Sequence, residues 1–153
     1  MEGLNQRIGE ALYREGLISA TRGWYAGRPV MVTRNDPALG LYNGDIGLTL
    51  ADPAMDGRLR VFFPQGERLR AVLPGRLADV ETVFAMTVHK SQGSEFDHVL
   101  FVLPDRPNPI LTRELAYTGV TRAKSRVTLM SAYPRALESA VAKRVLRASG
   151  LMW

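Results

Sequence analysis

The chain has 153 residues, 46% of them hydrophobic, no cysteine and a formal net charge of +5. The missing cysteine excludes disulfides and thiolate metal sites, and no apolar run reaches the roughly eighteen residues that a membrane-spanning helix needs. The length suits one compact domain, or one domain carrying a small insert. No N-terminal signal is visible, and the lack of cysteine is compatible with the cytoplasm; the positive balance suits nucleic acid, nucleotide or anionic lipid, and with no amphipathic anchor evident the first two are favoured.

Residues 4–15 carry Leu4, Ile8, Ala11 and Leu12 at helical spacing, with Gly16 as the stop. The polar, small-residue stretch 19–27 reads as a connector. Val30-Met31-Val32 reads as a strand and Asn35-Asp36-Pro37 as a turn. Asn43-Gly44 is the favoured pair for a tight hairpin, because both residues tolerate positive φ. A strand over 46–50 follows, then turn signals at Asp52-Pro53 and Asp56-Gly57. Residues 58–63 and 68–73 read as two more strands, split by Pro64-Gln65-Gly66. Short strands at such close spacing predict a small barrel. Arg58, Arg60, Arg68 and Arg70 occupy alternate positions and would form a basic stripe on one face if these strands pair. Both a DNA contact and an ordinary solvated face fit that stripe.

The apolar run 82–86 predicts a strand that returns the chain to a larger sheet, and 99–103 predicts another. Thr112 is placed to start a helix. Val127 to Met130 is a further strand, and Pro134 opens a last helix with Leu137, Val141 and Leu146 as its stripe, ended by Gly150. Strands alternating with helices in this way predict a parallel α/β sheet.

Between the apolar runs lies Thr87-Val88-His89-Lys90-Ser91-Gln92-Gly93-Ser94-Glu95-Phe96. Loops at the carboxyl ends of buried parallel strands are where ligands bind. Hydroxyls on Thr87, Ser91 and Ser94, the Lys90 cation, the Gln92 amide and close backbone access at Gly93 suit phosphate oxygens. An ordinary polar loop ending a strand fits the same residues. No segment reads G-x-x-x-x-G-K-[ST], and no apolar strand ends in an acidic pair for magnesium. A nucleotide-driven motor needs both, so the chain would be only part of one.

The same ten residues resemble motif V of superfamily 1 helicases. Glu114-Leu115-Ala116-Tyr117-Thr118-Gly119-Val120-Thr121-Arg122-Ala123-Lys124 resembles their motif VI. Arg28-Pro29-Val30-Met31-Val32-Thr33-Arg34-Asn35-Asp36 and Tyr42-Asn43-Gly44-Asp45-Ile46-Gly47 further resemble the C-terminal part of the alpha-subunit family of bacterial exodeoxyribonuclease V. Leu4-Asn5-Gln6-Arg7-Ile8 resembles the helix that follows that family's motif IV strand, and the strand itself is missing. The chain is therefore expected to be a piece of a longer protein.

The resemblance implies an α/β fold. A partial RecA-like parallel-sheet domain, residues 1–27 and 81–153, would carry an SH3-like β-barrel inserted at 28–80. It implies an ATP-dependent, five-prime-to-three-prime DNA helicase acting in double-strand break processing and recombination. ATP and magnesium would serve the complete protein, with the metal ligands outside this chain. The partners would be single-stranded DNA and duplex ends, an N-terminal motor half, and the beta and gamma subunits of exodeoxyribonuclease V, with no membrane. By the same resemblance Arg122 is the catalytic arginine finger, and Gln92, Gly93 and Glu95 face the nucleotide with it. Thr87, His89, Lys90 and Ser91 face DNA, while the Tyr117 ring packs against motif V. Lys124 and Arg126 are solvated or phosphate-facing supports. The isolated chain is expected to lack ATPase activity. Two other readings are a non-enzymatic nucleic-acid or protein binding module and, less well supported, a small hydrolase using His89 with Asp97.

Overall fold

The computed structural model describes residues 2–143. The chain divides into two compact units, Met1–Met86 and Thr87–Trp153. This division does not follow the 28–80 boundaries expected above, because α1 and the residues up to Met86 group with the antiparallel strands.

The first unit opens with α1 (Glu2–Arg14). Gly16, at φ 69°, ends it. Its N–H donates to Tyr13 O at 3.0 Å and the Leu17 N–H to Leu12 O at 2.9 Å, the paired closure of a left-handed glycine cap. The inward side of α1 is not the expected stripe. Leu4 is 38% exposed, whereas Gly9 is buried facing the Phe84 ring. Asn5 accounts for this rotation. Its carboxamide donates to Ala85 O at 2.8 Å and accepts the Ala85 N–H at 2.7 Å. A side chain here satisfies backbone groups that a neighbouring strand would otherwise pair.

Five strands follow: β1 (Pro29–Val32), β2 (Ile46–Asp52), β3 (Arg58–Gln65), β4 (Arg68–Val72) and β5 (Val80–Thr82). They form one antiparallel sheet in the order β4-β3-β2-β1-β5. The expected closed barrel does not form, since β4 and β5 remain the two edges. The 33–45 loop covers the inner face instead. Its Leu39 and Leu41 join Val30, Val32, Val61, Phe63 and Val72 in the core, with Trp24, Leu77 and Val80 against it. Asn43-Gly44 sits at the end of this long loop rather than in a two-residue hairpin. Gly44 has φ 98°, and Asn43 does not take positive φ. The loop is pinned by side chains: Asn43 N–H donates to Asn35 Oδ1 and Tyr42 N–H to Asp45 Oδ2, both at 2.8 Å.

Register corrects two further expectations. Residues 82–86 do not join a parallel sheet: β5 stops at Thr82 and pairs with β1. Beyond it, Val83 N–H donates to Pro29 O and Ala85 is engaged by Asn5. The arginine stripe splits as well. Arg68 and Arg70 stand opposite Gln65 and Phe63, whereas Arg58 and Arg60 share the other face with Phe62. Arg60 moreover pairs with Asp52 at 3.1 Å and donates to Ala71 O at 2.6 Å.

The second unit has a parallel pair, β6 (Phe96–Val102) with β7 (Ala123–Met130), as the alternating pattern predicted. Helices α2 (Arg113–Val120) and α3 (Ala136–Ala142) supply the cover. Phe101, Leu103, Leu111, Ala116, Ala136 and Ala140 form the core. On α3 the buried positions are Ala136 and Ala140, while Val141 is 46% exposed. Leu146 and Gly150 lie outside the described residues. Together the two units make a mixed α/β architecture, an antiparallel sheet plus a small parallel pair.

Candidate functional site

Two short segments meet at the head of the parallel pair. The first is the 87–95 loop that leads into β6. Thr87 caps its single turn by accepting the Lys90 N–H at 3.3 Å, and Ser91 N–H closes onto Thr87 O at 3.1 Å. Ser94 N–H returns to Ser91 O at 3.1 Å through Gly93, whose φ of 87° suits glycine and few other residues. Ser91 is 6% exposed, and its hydroxyl donates to Val88 O at 2.8 Å. It braces the turn from inside and offers no surface donor, against its expected place among the DNA contacts. His89, Lys90, Gln92, Gly93 and Glu95 are exposed, and Thr87 is half-buried.

The second segment joins α2 to β7. Thr112 caps α2 by accepting the Leu115 N–H at 3.3 Å. Gly119 lets this helix lie close on β6, because a Cβ there would stand 3.0 Å from the Phe101 ring. The helix ends at Val120, and Thr121 N–H still bonds Tyr117 O at 2.9 Å. Arg122 then begins the turn into β7, and its carbonyl accepts the Phe96 N–H at 2.8 Å. Tyr117 is 70% exposed, so its ring does not pack on the loop as expected. At its position the chain turns the ring to solvent and gives the inward positions to Ala116 and Gly119.

The Arg122 guanidinium bridges the two segments. Nε donates to Thr118 O at 3.1 Å, Nη1 to Ser94 O at 3.3 Å and Nη2 to Thr121 Oγ1 at 3.4 Å. Among the described residues no carboxylate lies within ion-pair distance of it. Its charge is oriented by neutral acceptors and not cancelled, and each terminal nitrogen keeps one further N–H. An arginine in that state can fork toward an anion. Thus Arg122 meets the loop that carries Gln92, Gly93 and Glu95, touching it at Ser94. Sequence reasoning gave no role to Thr118 or Thr121, and read Ser94 for its hydroxyl rather than for the backbone carbonyl that Arg122 uses. A threonine immediately before the arginine and another four residues before it, at helical reach, were the available signal. Lys124 and Arg126 are exposed on β7. His98 bonds Thr128 Oγ1 through Nε2 at 2.8 Å, in keeping with a structural part.

Residues 82–130, which contain both segments, match the UvrD-like helicase C-terminal domain family. The RecBCD enzyme subunit RecD of Mycobacterium tuberculosis is 48% identical over 147 residues, covering 96% of this chain and 25% of that protein. RecD of Haemophilus influenzae is 44% identical over 153 residues, 99% of this chain and 22% of that one. The ATP-dependent RecD2 DNA helicase of Deinococcus radiodurans is 37% identical over 129 residues, 82% of this chain and 17% of that one. The chain thus spans a quarter or less of the length of these relatives. Residues 82–130 are thus similar to the C-terminal domain of the UvrD-like helicase class. Within that class the chain's resemblance is to the C-terminal part of RecD, the alpha subunit of exodeoxyribonuclease V.

Proposed function

We propose that this chain forms the far wall of the ATP cleft and part of the DNA path in a RecD-like, five-prime-to-three-prime DNA helicase. The complete protein would serve double-strand break processing and recombination, with beta and gamma subunits as partners and duplex ends and single-stranded DNA as substrates. One observation carries the reading: Arg122, with no carboxylate at ion-pair distance among the described residues, is fastened to the loop that presents Gln92, Gly93 and Glu95. Residues 28–80 are read as an insert of SH3-like kind, on the strength of the strand order alone.

In this reading ATP is supplied by a second, P-loop-bearing half. The residues present fit the outer side of a triphosphate: an oriented guanidinium for the γ-phosphate, an amide and a glycine N–H beside it, and a carboxylate able to accept from ribose hydroxyls. Phosphoryl transfer spreads negative charge over the phosphate oxygens, and Arg122 stabilises that charge as it builds. Magnesium would serve the complete protein, and in this reading its ligands come from the other half. In this reading exposed His89 and Lys90, with half-buried Thr87 beside them, face the DNA backbone, and buried Ser91 leaves that set.

The test is to mix this chain with a P-loop-bearing motor half and measure ATPase with and without single-stranded DNA. The chain alone should show no turnover. The mixture should, and Arg122→Ala should lower its kcat by roughly 10³-fold or more, as for other arginine fingers. Turnover by the isolated chain, or a mixture indifferent to Arg122→Ala, would refute the proposal.

A further inference from the structure

We infer that Thr121 is a positioning residue that fixes the rotation of the Arg122 guanidinium, with the Thr118 and Ser94 carbonyls as its two fellow anchors. The inference deepens the reading above, in which Arg122 is the nucleotide-facing cation.

The argument starts from the freedom of an arginine. Its planar head turns about the long side chain, and a bond to Nε alone leaves the direction of the fork open. Here Nε is held by Thr118 O. The two terminal nitrogens are held on opposite sides, Nη1 by Ser94 O and Nη2 by Thr121 Oγ1. Two of these anchors are main-chain carbonyls, which no side-chain change removes. Among the described residues Thr121 alone holds the head through a side chain.

Its hydroxyl is itself held. It donates to Thr118 O at 3.1 Å, which leaves its lone pairs for the Arg122 N–H. Thr118 O thereby accepts from both the hydroxyl and Nε, and the three groups close a small ring. The Thr121 backbone is fixed independently, its N–H bonded to Tyr117 O and Gly119 O. The hydroxyl is therefore a stationary acceptor on a side chain with few rotamers. A residue of this kind spares Arg122 the entropy of finding its orientation when an anion arrives. Valine would keep the shape and lose the acceptor. Serine would keep the acceptor.

The test uses this chain without nucleotide and reads the Arg122 side-chain N–H signals by NMR. In the unaltered chain Nε–H exchange with water should be slower than for exposed Arg126, and the terminal N–H groups should be resolved by hindered rotation. Thr121→Val should speed exchange and rotation by about tenfold, the share one hydrogen bond contributes. Thr121→Ser should stay within about twofold of the original, since the acceptor is retained. In the mixed ATPase assay Thr121→Val should lower kcat about tenfold and leave the nucleotide KM nearly unchanged, because an interaction made only in the transition state acts on kcat.

Free exchange and rotation of Arg122 in the unaltered chain would overturn the inference even if Thr121→Val did not fold, and would leave the arginine-finger reading standing. Equal behaviour of folded Thr121→Val and the original would also overturn it. Conversely, an ATPase indifferent to Arg122→Ala would remove the finger reading while the NMR result stood on its own.

Discussion

The two units use arginine and burial in opposite ways. In the first, cations are consumed by the fold. Arg28 stacks on Trp24 at 4.6 Å and donates to Gly23 O and Thr82 Oγ1, and burial holds its guanidinium below the ordinary arginine value. Arg60 is neutralised by Asp52. In the second, Arg122 is oriented by carbonyls and a hydroxyl and remains a net cation. The cores differ likewise. Val30, Val61, Phe63 and Thr49 of the first unit are fully enclosed, and a loop of the same unit seals them. On the parallel pair, Val99, Phe101 and Leu103 face α2 and α3, whereas Leu100, Val102 and Met130 are each about half exposed, at 54%, 51% and 55%. Antiparallel sheets stand with one wet face, and parallel sheets are ordinarily covered on both. The first unit encloses its core, whereas the second leaves one face of its parallel pair half exposed.

This contrast can be broken by mutation. The largest effect is expected from Phe63→Ala, which empties the enclosed core and should cost about 3–5 kcal/mol in urea unfolding followed at first-unit amides. Arg122 N–H signals should be unmoved where the second unit stays folded, and their collapse together with the first unit would end the comparison. Next is Gly47→Ala. A Cβ at this position would stand 2.7 Å from the Phe63 ring and 2.8 Å from Val61. Overpacking of that kind should cost about 1–3 kcal/mol, read from the same titration. The smallest change should carry the opposite sign. Thr49 is wholly buried, and among the described residues its hydroxyl has no partner. Thr49→Val should therefore raise stability by about 1 kcal/mol, and a loss instead would show that the hydroxyl is satisfied after all.

Much of the site was legible because its chemistry is local. The polar run 87–95 and the arginine at 122 are contiguous signals, and strand–helix alternation predicts the parallel pairing that brings them together. What sequence could not supply was register and closure. Whether Arg58 and Arg68 share a face depends on a one-residue offset across the β3–β4 turn, and alternation within each strand is silent on that offset. A barrel and an open sheet share the same short strands; the difference lies in whether β4 meets β5, a long-range pairing. Nothing in the helical spacing of residues 4–15 shows that Asn5 bonds Ala85, eighty residues away. Ser91 looked like a ligand hydroxyl because composition does not say which way a side chain turns.

The strand order also bears on how such a chain can change over time. β1 and β5, the first and last strands of the antiparallel sheet, lie side by side, and Val83 N–H reaches Pro29 O at 3.0 Å. The polypeptide leaves the sheet next to where it came in. A change in the length of the loops between those points would therefore leave the entry and exit strands paired as they are.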